Sequence, residues 1–219
     1  GLVLALLTSL KQICNHPAHY LDDGSALDGR SAKLEAFDDL IDSASEARSD
    51  DRSEPTLVFT QYVVMAKLLA SHLSELGISH AILHGSLSPT ERQRLTDEFQ
   101  AGHIDVLVCS LRAAGTGLTL TRATQVIHYD RWWNPAVEDQ ATDRAHRIGQ
   151  TATVSVHRLI SEGTLEERVA EVLGQKRQLA GAVMGTGVDG WIGGLNDGEL
   201  GELLRRQRPG GAASSEDAA

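Results

Sequence analysis

Thr56-Leu57-Val58-Phe59-Thr60 is short, β-branched and free of charge, the composition of a strand covered on both faces. Met65 to Leu76 follows it, repeating apolar residues at helical spacing (Met65, Leu68, Leu69, Leu73, Leu76) and stopping at Gly77, which can take the left-handed conformation of a C-cap. The same alternation continues along the chain. Ala81-Ile82-Leu83, Val106-Leu107-Val108-Cys109, Gln125-Val126-Ile127-His128 and Val154-Ser155-Val156-His157 read as further buried strands. Buried strands alternating with amphipathic stretches predict an α/β fold, a three-layer sandwich with a mainly parallel central sheet between helices.

Helix boundaries are marked locally. Ser88-Pro89-Thr90-Glu91 is a capping box with Pro at the first helical position, before a helix that buries Leu95 and Phe99 and ends at Gly102. Thr164-Leu165-Glu166-Glu167 repeats the box and predicts a helix reaching Val183; Asn196 with Glu199 opens a short last helix carrying Leu200, Leu203 and Leu204. Beyond Arg208 the chain has nothing to bury and is expected to be disordered.

The 219 residues, 41% of them hydrophobic, suffice for one substantial core. The chain begins with Gly1 rather than methionine, which reads as a piece of a longer protein. Gly1 to Leu10 is apolar, but no basic residue precedes it, no small-residue cleavage site follows, and it is too short to span a membrane. Cys14 and Cys109 stand far apart, so no disulfide is expected and a reducing cytoplasm is indicated. A formal net charge of −10 argues against coating nucleic acid by bulk electrostatics, so any phosphate site must be a focused patch. Much of the acid lies between Glu35 and Glu54, with a solvated loop or linker expected around Ser43 to Glu54.

The segment Asn134 to Gln150 reads as a helix started by Pro135 and stopped by Gly149, with Gln140, Arg144 and Arg147 on one face. Arginine suits multidentate recognition of phosphate oxygens. Asp143, four residues before Arg147, makes a solvated salt-bridge ladder the favoured reading of the segment taken alone. Ser110-Leu111-Arg112-Ala113-Ala114-Gly115-Thr116-Gly117 is a glycine-bearing loop after a buried strand, which exposes backbone N–H groups to phosphate or merely turns the chain. Asp130-Arg131-Trp132-Trp133 places two tryptophans beyond a strand end, for nucleic-acid contact or core packing. Thr60-Gln61-Tyr62 and His84-Gly85-Ser86 add polar groups at two more strand ends, where open α/β sheets carry ligands. Cys14-Asn15-His16-Pro17-Ala18-His19 has no second Cys-His pair at usable spacing, and no metal site is expected.

Taken in order, Leu10-Lys11-Gln12-Ile13-Cys14-Asn15-His16-Pro17, Ser31-Ala32-Lys33-Leu34, Val58-Phe59-Thr60-Gln61-Tyr62, Leu83-His84-Gly85-Ser86-Leu87, the glycine loop, Trp133-Asn134-Pro135 and Asp143-Arg144-Ala145-His146-Arg147-Ile148-Gly149-Gln150 resemble the C-terminal RecA-like lobe of Swi/Snf-type helicase-like ATPases of helicase superfamily two, and Gly185 to Gln207, with Trp191, is similar to the C-terminal extension of bacterial-type members. The loop departs from the family at Ala114 and Thr116, where glycine and valine are usual. The resemblance implies half of an ATP-driven double-stranded DNA translocase, ATP and Mg²⁺ being bound mainly by an N-terminal RecA-like lobe. Arg144 and Arg147 would be arginine fingers; Gln140, Gly115 and Gly117 would attend the nucleotide cleft. Thr60, Gln61, His84, Gly85, Ser110, Arg112 and Trp133 would track the DNA backbone.

The implied organisation is N-terminal helices and an acidic linker (1–54), the RecA-like lobe (55–183), a C-terminal helical brace (184–207) and a tail (208–219). Cytoplasmic work at the bacterial nucleoid is implied, with RNA polymerase or another DNA-bound protein as cargo and no membrane partner. No Gly-x-x-x-x-Gly-Lys-Ser/Thr and no Asp-Glu-x-His occurs, so the chain alone is expected to be inert as an ATPase. The rival reading is a non-hydrolysing DNA- or protein-binding module that retains the fold.

Overall fold

The computed structural model describes residues 2–46, 54–110, 119–132, 135–147 and 150–171. Five strands, β1 (Thr56–Thr60), β2 (His80–Leu83), β3 (Val106–Ser110), β4 (Gln125–His128) and β5 (Ser155–Arg158), form one sheet in the order β2-β3-β1-β4-β5, every pair parallel. Each run alternates its side chains between two cores. Leu57, Phe59, Leu107, Cys109 and Val126 point to one face, and Val58, Val106, Val108 and Ile127 to the other. This two-sided burial is why the strands read as unbroken apolar runs.

The helices complete both cores. On one face lie α3 (Ala32–Glu46), through Leu34, Phe37 and Ile41, and α4 (Val63–Glu75), through Met65, Ala66, Leu69 and Leu73. On the other lie α5 (Pro89–Ala101), through Leu95 and Phe99, and α6 (Pro135–Thr142), through Ala141. Parallel crossovers share one hand, so the outward connection from β1 to β2 and the return from β2 to β3 must use opposite faces, as α4 and α5 do. The acidic stretch is thus divided: its first half is an amphipathic helix seated on the sheet.

Both ends of α5 follow from their residues. The Ser88 hydroxyl accepts from the Glu91 N–H and the Glu91 carboxylate accepts from the Ser88 N–H, while Gly102 closes the helix at φ +86°. Gly77 likewise has φ +71° after α4. At the other expected box, Thr164 accepts from the N–H of Glu166 and Glu167 accepts from Gly163, so the reciprocal pairing is absent at the start of α7 (165–171). Residues from 172 onward, including the expected brace and tail, lie outside the described residues.

The chain ahead of the sheet contributes α1 (Leu2–Asn15) and α2 (Pro17–Leu21). His16 is the N-cap of α2: its Nδ1 accepts from the Ala18 N–H at 3.0 Å, which puts the ring proton on Nε2, facing the Leu27 carbonyl at 2.9 Å. Both ring nitrogens are therefore used structurally. Among the described residues no group of three or more His, Cys, Asp or Glu side chains is arranged to hold a metal ion, and no helix is long and apolar enough to cross a membrane. Both cysteines are free, and burial pushes the Cys109 thiol up to about 12.

Candidate nucleotide cleft and strand-end surface

The candidate residues fall into two groups. The first stands where β1, β2, β3 and β4 end: Thr60 and Gln61, His84 and Gly85, Ser110, and Asp130 to Trp132. Asp130 organises it. This carboxylate is fully buried and accepts from the Thr60 hydroxyl, from the Gln61 N–H at 3.1 Å and from Asn15 Nδ2 at 3.3 Å. Burial pushes its carboxyl above the usual range, against the opposing pull of Lys11 and the Thr60 hydroxyl. The Lys11 ammonium, from α1, donates to the Arg131 carbonyl, and burial lowers its pKa. Lys33 donates to Asn15 Oδ1 at 3.2 Å and pairs with Glu166 of α7.

This network fixes the orientation of the candidates. The hydroxyls of Thr60 and Ser110 belong to buried side chains, and the Gln61 amide donates to the Arg131 carbonyl at 2.5 Å. Glu138 on α6, fully buried, accepts from Arg131 Nε at 2.8 Å and from the Trp132 N–H at 2.7 Å, holding the chain as it leaves the strand end. Trp132 packs against the core. His84 is half-buried, its Nδ1 2.7 Å from the Ser86 hydroxyl; Gly85 is exposed, with nothing within 4 Å of where a Cβ would stand. Arg112, Gly115, Gly117 and Trp133 lie outside the described residues.

The second group lies away from that edge. The expected helix over 135–149 is α-helical only to Thr142; Arg144 N and Ala145 N bond three residues back, to Ala141 and Thr142, and the chain tightens into turns. A tertiary bond ties this turn to the sheet: the Arg144 carbonyl accepts from the Leu120 N–H, on the chain leading into β4. Gln140, Arg144 and Arg147 nevertheless line one open cleft of about 770 Å³ with Thr119, Asp143 and His146. Arg147 is exposed and donates to Thr119 Oγ1 at 3.1 Å. Arg144 is 9% exposed, has no ion pair among the described residues, and its Nε is buried without a hydrogen-bond partner there. An under-satisfied guanidinium in a cleft with a second arginine and an amide fits an anionic, multi-oxygen ligand such as a polyphosphate.

Sequence reasoning singled out the arginines but assigned no role to Asp130, Glu138 or Gln150, whose side chains hold the two groups in place. The signal was available at Asp130 and Glu138: an acid two residues past a buried strand, and one on the inward face of an amphipathic helix, are buried charges in need of partners.

Residues 32–149 match the helicase conserved C-terminal domain. YwqA of Bacillus subtilis, given the name of an ATP-dependent helicase/translocase by inference, is 45% identical over 207 residues, which is 93% of this chain and 22% of YwqA. An uncharacterized ATP-dependent helicase of Mycoplasma pneumoniae is 39% identical over 178 residues, 81% of this chain and 16% of that protein. The chain thus spans about a fifth of the length of the curated relatives it matches. The Sulfolobus solfataricus SWI2/SNF2 ATPase C-terminal domain superposes with TM-score 0.75 at 36% identity, covering 94% of this chain and 82% of that one. The same enzyme's ATPase core in complex with double-stranded DNA gives TM-score 0.78 at 39% identity, over 94% of this chain and 42% of that one. The parallel five-stranded sheet, the cleft arginines and these similarities agree: the chain belongs to the helicase C-terminal domain family, as a RecA-like C-terminal lobe of the bacterial Swi/Snf type within helicase superfamily two.

Proposed function

We propose that this chain is the second motor lobe of an ATP-dependent double-stranded DNA translocase, with Arg144 and Arg147 as arginine fingers. The observation that carries the reading is the cleft in which a nearly buried guanidinium lacking a partner at Nε lies beside an exposed one and the Gln140 amide. Fingers of this kind neutralise charge developing on a transferred phosphoryl group. MgATP, held mainly by the preceding lobe, would supply the phosphoryl bond that is cleaved. This lobe's part is to present the two cations and the amide to it, with the glycine loop at Gly115 and Gly117 adjoining by motif.

Duplex DNA is assigned to the strand-end surface. Gly85 supports this, because its surroundings tolerate a side chain and its backbone is outside the left-handed region. A glycine there is explained by close approach from outside, as a phosphate backbone would make. His84 lies beside it, and Arg112 and Trp133 join by motif. Thr60, Gln61 and Ser110 act through the backbone they hold, since their side chains are turned inward or spent on Asp130 and Arg131. Contacts of this type read phosphate spacing rather than base sequence, so the cargo would be any protein fixed on the duplex, RNA polymerase among them, and the place of work the nucleoid. The lobe alone lacks a phosphate cradle and an Mg²⁺-holding acid motif, and should not turn over ATP.

The experiment is ATP turnover by the protein carrying both lobes, with and without duplex DNA, beside Arg147→Ala. Duplex-stimulated turnover that falls by about 10³-fold or more in the variant is the expected result. Equal turnover by parent and variant removes the finger assignment, and a parent that binds DNA without hydrolysing ATP makes this fold a binding module.

A further inference from the structure

We infer that Gln150 is a positioning residue that clasps the finger segment to residues 119–123, and so holds Arg144 and Arg147 in the register that duplex-stimulated hydrolysis needs. The inference rests on the motor reading above. Both N–H bonds of the Gln150 amide are used: Nε2 donates to the Thr121 carbonyl and to the Ala123 carbonyl, each at 2.8 Å. Its Oε1 accepts from the Ala152 N–H at 2.9 Å, and its own N–H donates to the Arg147 carbonyl at 2.9 Å. One side chain thus bonds the loop's return and the chain approaching β5, while its backbone holds the residue that carries the outer finger.

Two further bonds run in parallel with it. Leu120 N–H donates to the Arg144 carbonyl at 3.0 Å, and Arg147 Nη1 donates to Thr119 Oγ1 at 3.1 Å. Residues 119–123 are therefore tied to 144–150 at four points along a short stretch. Their far side is bolted to the core. Arg122 donates to the carbonyls of Phe99 and Ile104 at 2.9 and 2.8 Å, its guanidinium lies 5.4 Å from the Phe99 ring centroid, and its N–H donates to Gln100 Oε1. Because Arg122 immobilises the middle of this stretch, the clasp anchors the segment that carries Arg144 and Arg147 to the core. No other residue type of this length offers two parallel donors and an acceptor without a charge, since Glu lacks the donors and Met lacks all three groups.

The test uses the two-lobed protein with Gln150→Met and Gln150→Glu. In Gln150→Met, kcat with saturating duplex should fall by about ten-fold, the rate equivalent of one or two hydrogen bonds, with KM for ATP within about two-fold and the melting temperature close to that of the parent. Gln150→Glu sets a carboxylate against two carbonyl oxygens. Its duplex-stimulated rate should be lower still at pH 8 and should recover relative to the parent as pH falls toward 6, where a protonated carboxyl can donate again. Parent-like duplex stimulation in both variants overturns the inference while leaving the motor reading intact. So does a loss of rate that tracks a fallen melting temperature and shows no recovery on acidification. A parent without duplex-stimulated turnover would instead remove the motor reading, and the inference with it.

Discussion

Truncation of Asp130 to alanine should be the most damaging single change at the strand ends. The carboxylate is fully buried and serves the Thr60 hydroxyl, the Gln61 N–H and the Asn15 amide, with the Lys11 ammonium among the charges that stabilise it. Its removal leaves three buried donors short of a partner, about 1–3 kcal/mol for each that water cannot reach, and takes from buried Lys11 the carboxylate that acts on it most strongly. Breaking a buried charge pair from one side costs about 3–5 kcal/mol, a large part of the roughly 5–15 kcal/mol that holds a domain folded. With a urea dependence of about 2 kcal/mol per molar, the unfolding midpoint should drop by about 2 M. Lys11→Met alone should also destabilise, but the double variant should be more stable than the sum by at least about 1 kcal/mol, because the stranded charge has gone. Urea unfolding of the four proteins, followed by tryptophan fluorescence, checks both numbers. An Asp130→Ala midpoint within about 0.5 M of the parent, or strict additivity in the double variant, would refute the claim that a buried charge network sets this edge.

Two further outcomes follow from the buried and capping groups. His19 and His128 are both buried, and desolvation lowers each from 6.5 to about 4. The unfolded chain therefore takes up the protons, so stability present above pH 6.5 is lost as pH falls toward 4, by about 2 kcal/mol per histidine between pH 7 and 5. His128→Phe, which keeps the stack on Phe59, should remove one such share of the loss; an unchanged pH profile would contradict the desolvated site. Ser88→Ala, which breaks the reciprocal cap of α5, should cost about 1 kcal/mol in the same assay, and a change below about 0.3 kcal/mol would mean the box contributes nothing.

The sheet was legible because its three inner strands, β1, β3 and β4, are buried on both faces, so Val58 and Phe59 or Val108 and Cys109 leave no polar position to blur the run. The strand bounds differ from the expected ones by a residue at most: β2 gains His80, β3 gains Ser110, and β5 is shifted to Ser155–Arg158. The start of α5 was equally plain, since a capping box is written in four consecutive residues. The finger segment was not. Pro135 and Gly149 bracket a plausible helix, but α6 ends at Thr142 and the turns that follow are tied to Leu120 through the Arg144 carbonyl, a contact that no local pattern encodes. The same applies to direction: Thr60 and Ser110 stand at strand ends as their positions imply, while the inward turn of their side chains depends on surroundings that include Asp130, 70 residues on from Thr60. At Cys14 to His19 the spacing argued against a metal site but gave no sign that His16 spends both nitrogens on the backbone.

The charge network also sets a timetable for biosynthesis. Lys33 finds Glu166 across 133 residues of chain, Lys11 finds the Arg131 carbonyl across 120, and Asn15 finds Asp130 across 115. At a synthesis rate of about 5–20 residues per second, roughly 7–27 s separate the emergence of Lys33 from that of its partner. During that interval α1 and α3 can form, and β1 can seek β3, yet two ammonium groups destined for burial have nothing to neutralise them and must stay hydrated. Residues 2–46 can therefore dock only loosely until β5 and α7 have emerged, when Glu166 arrives to pair with Lys33.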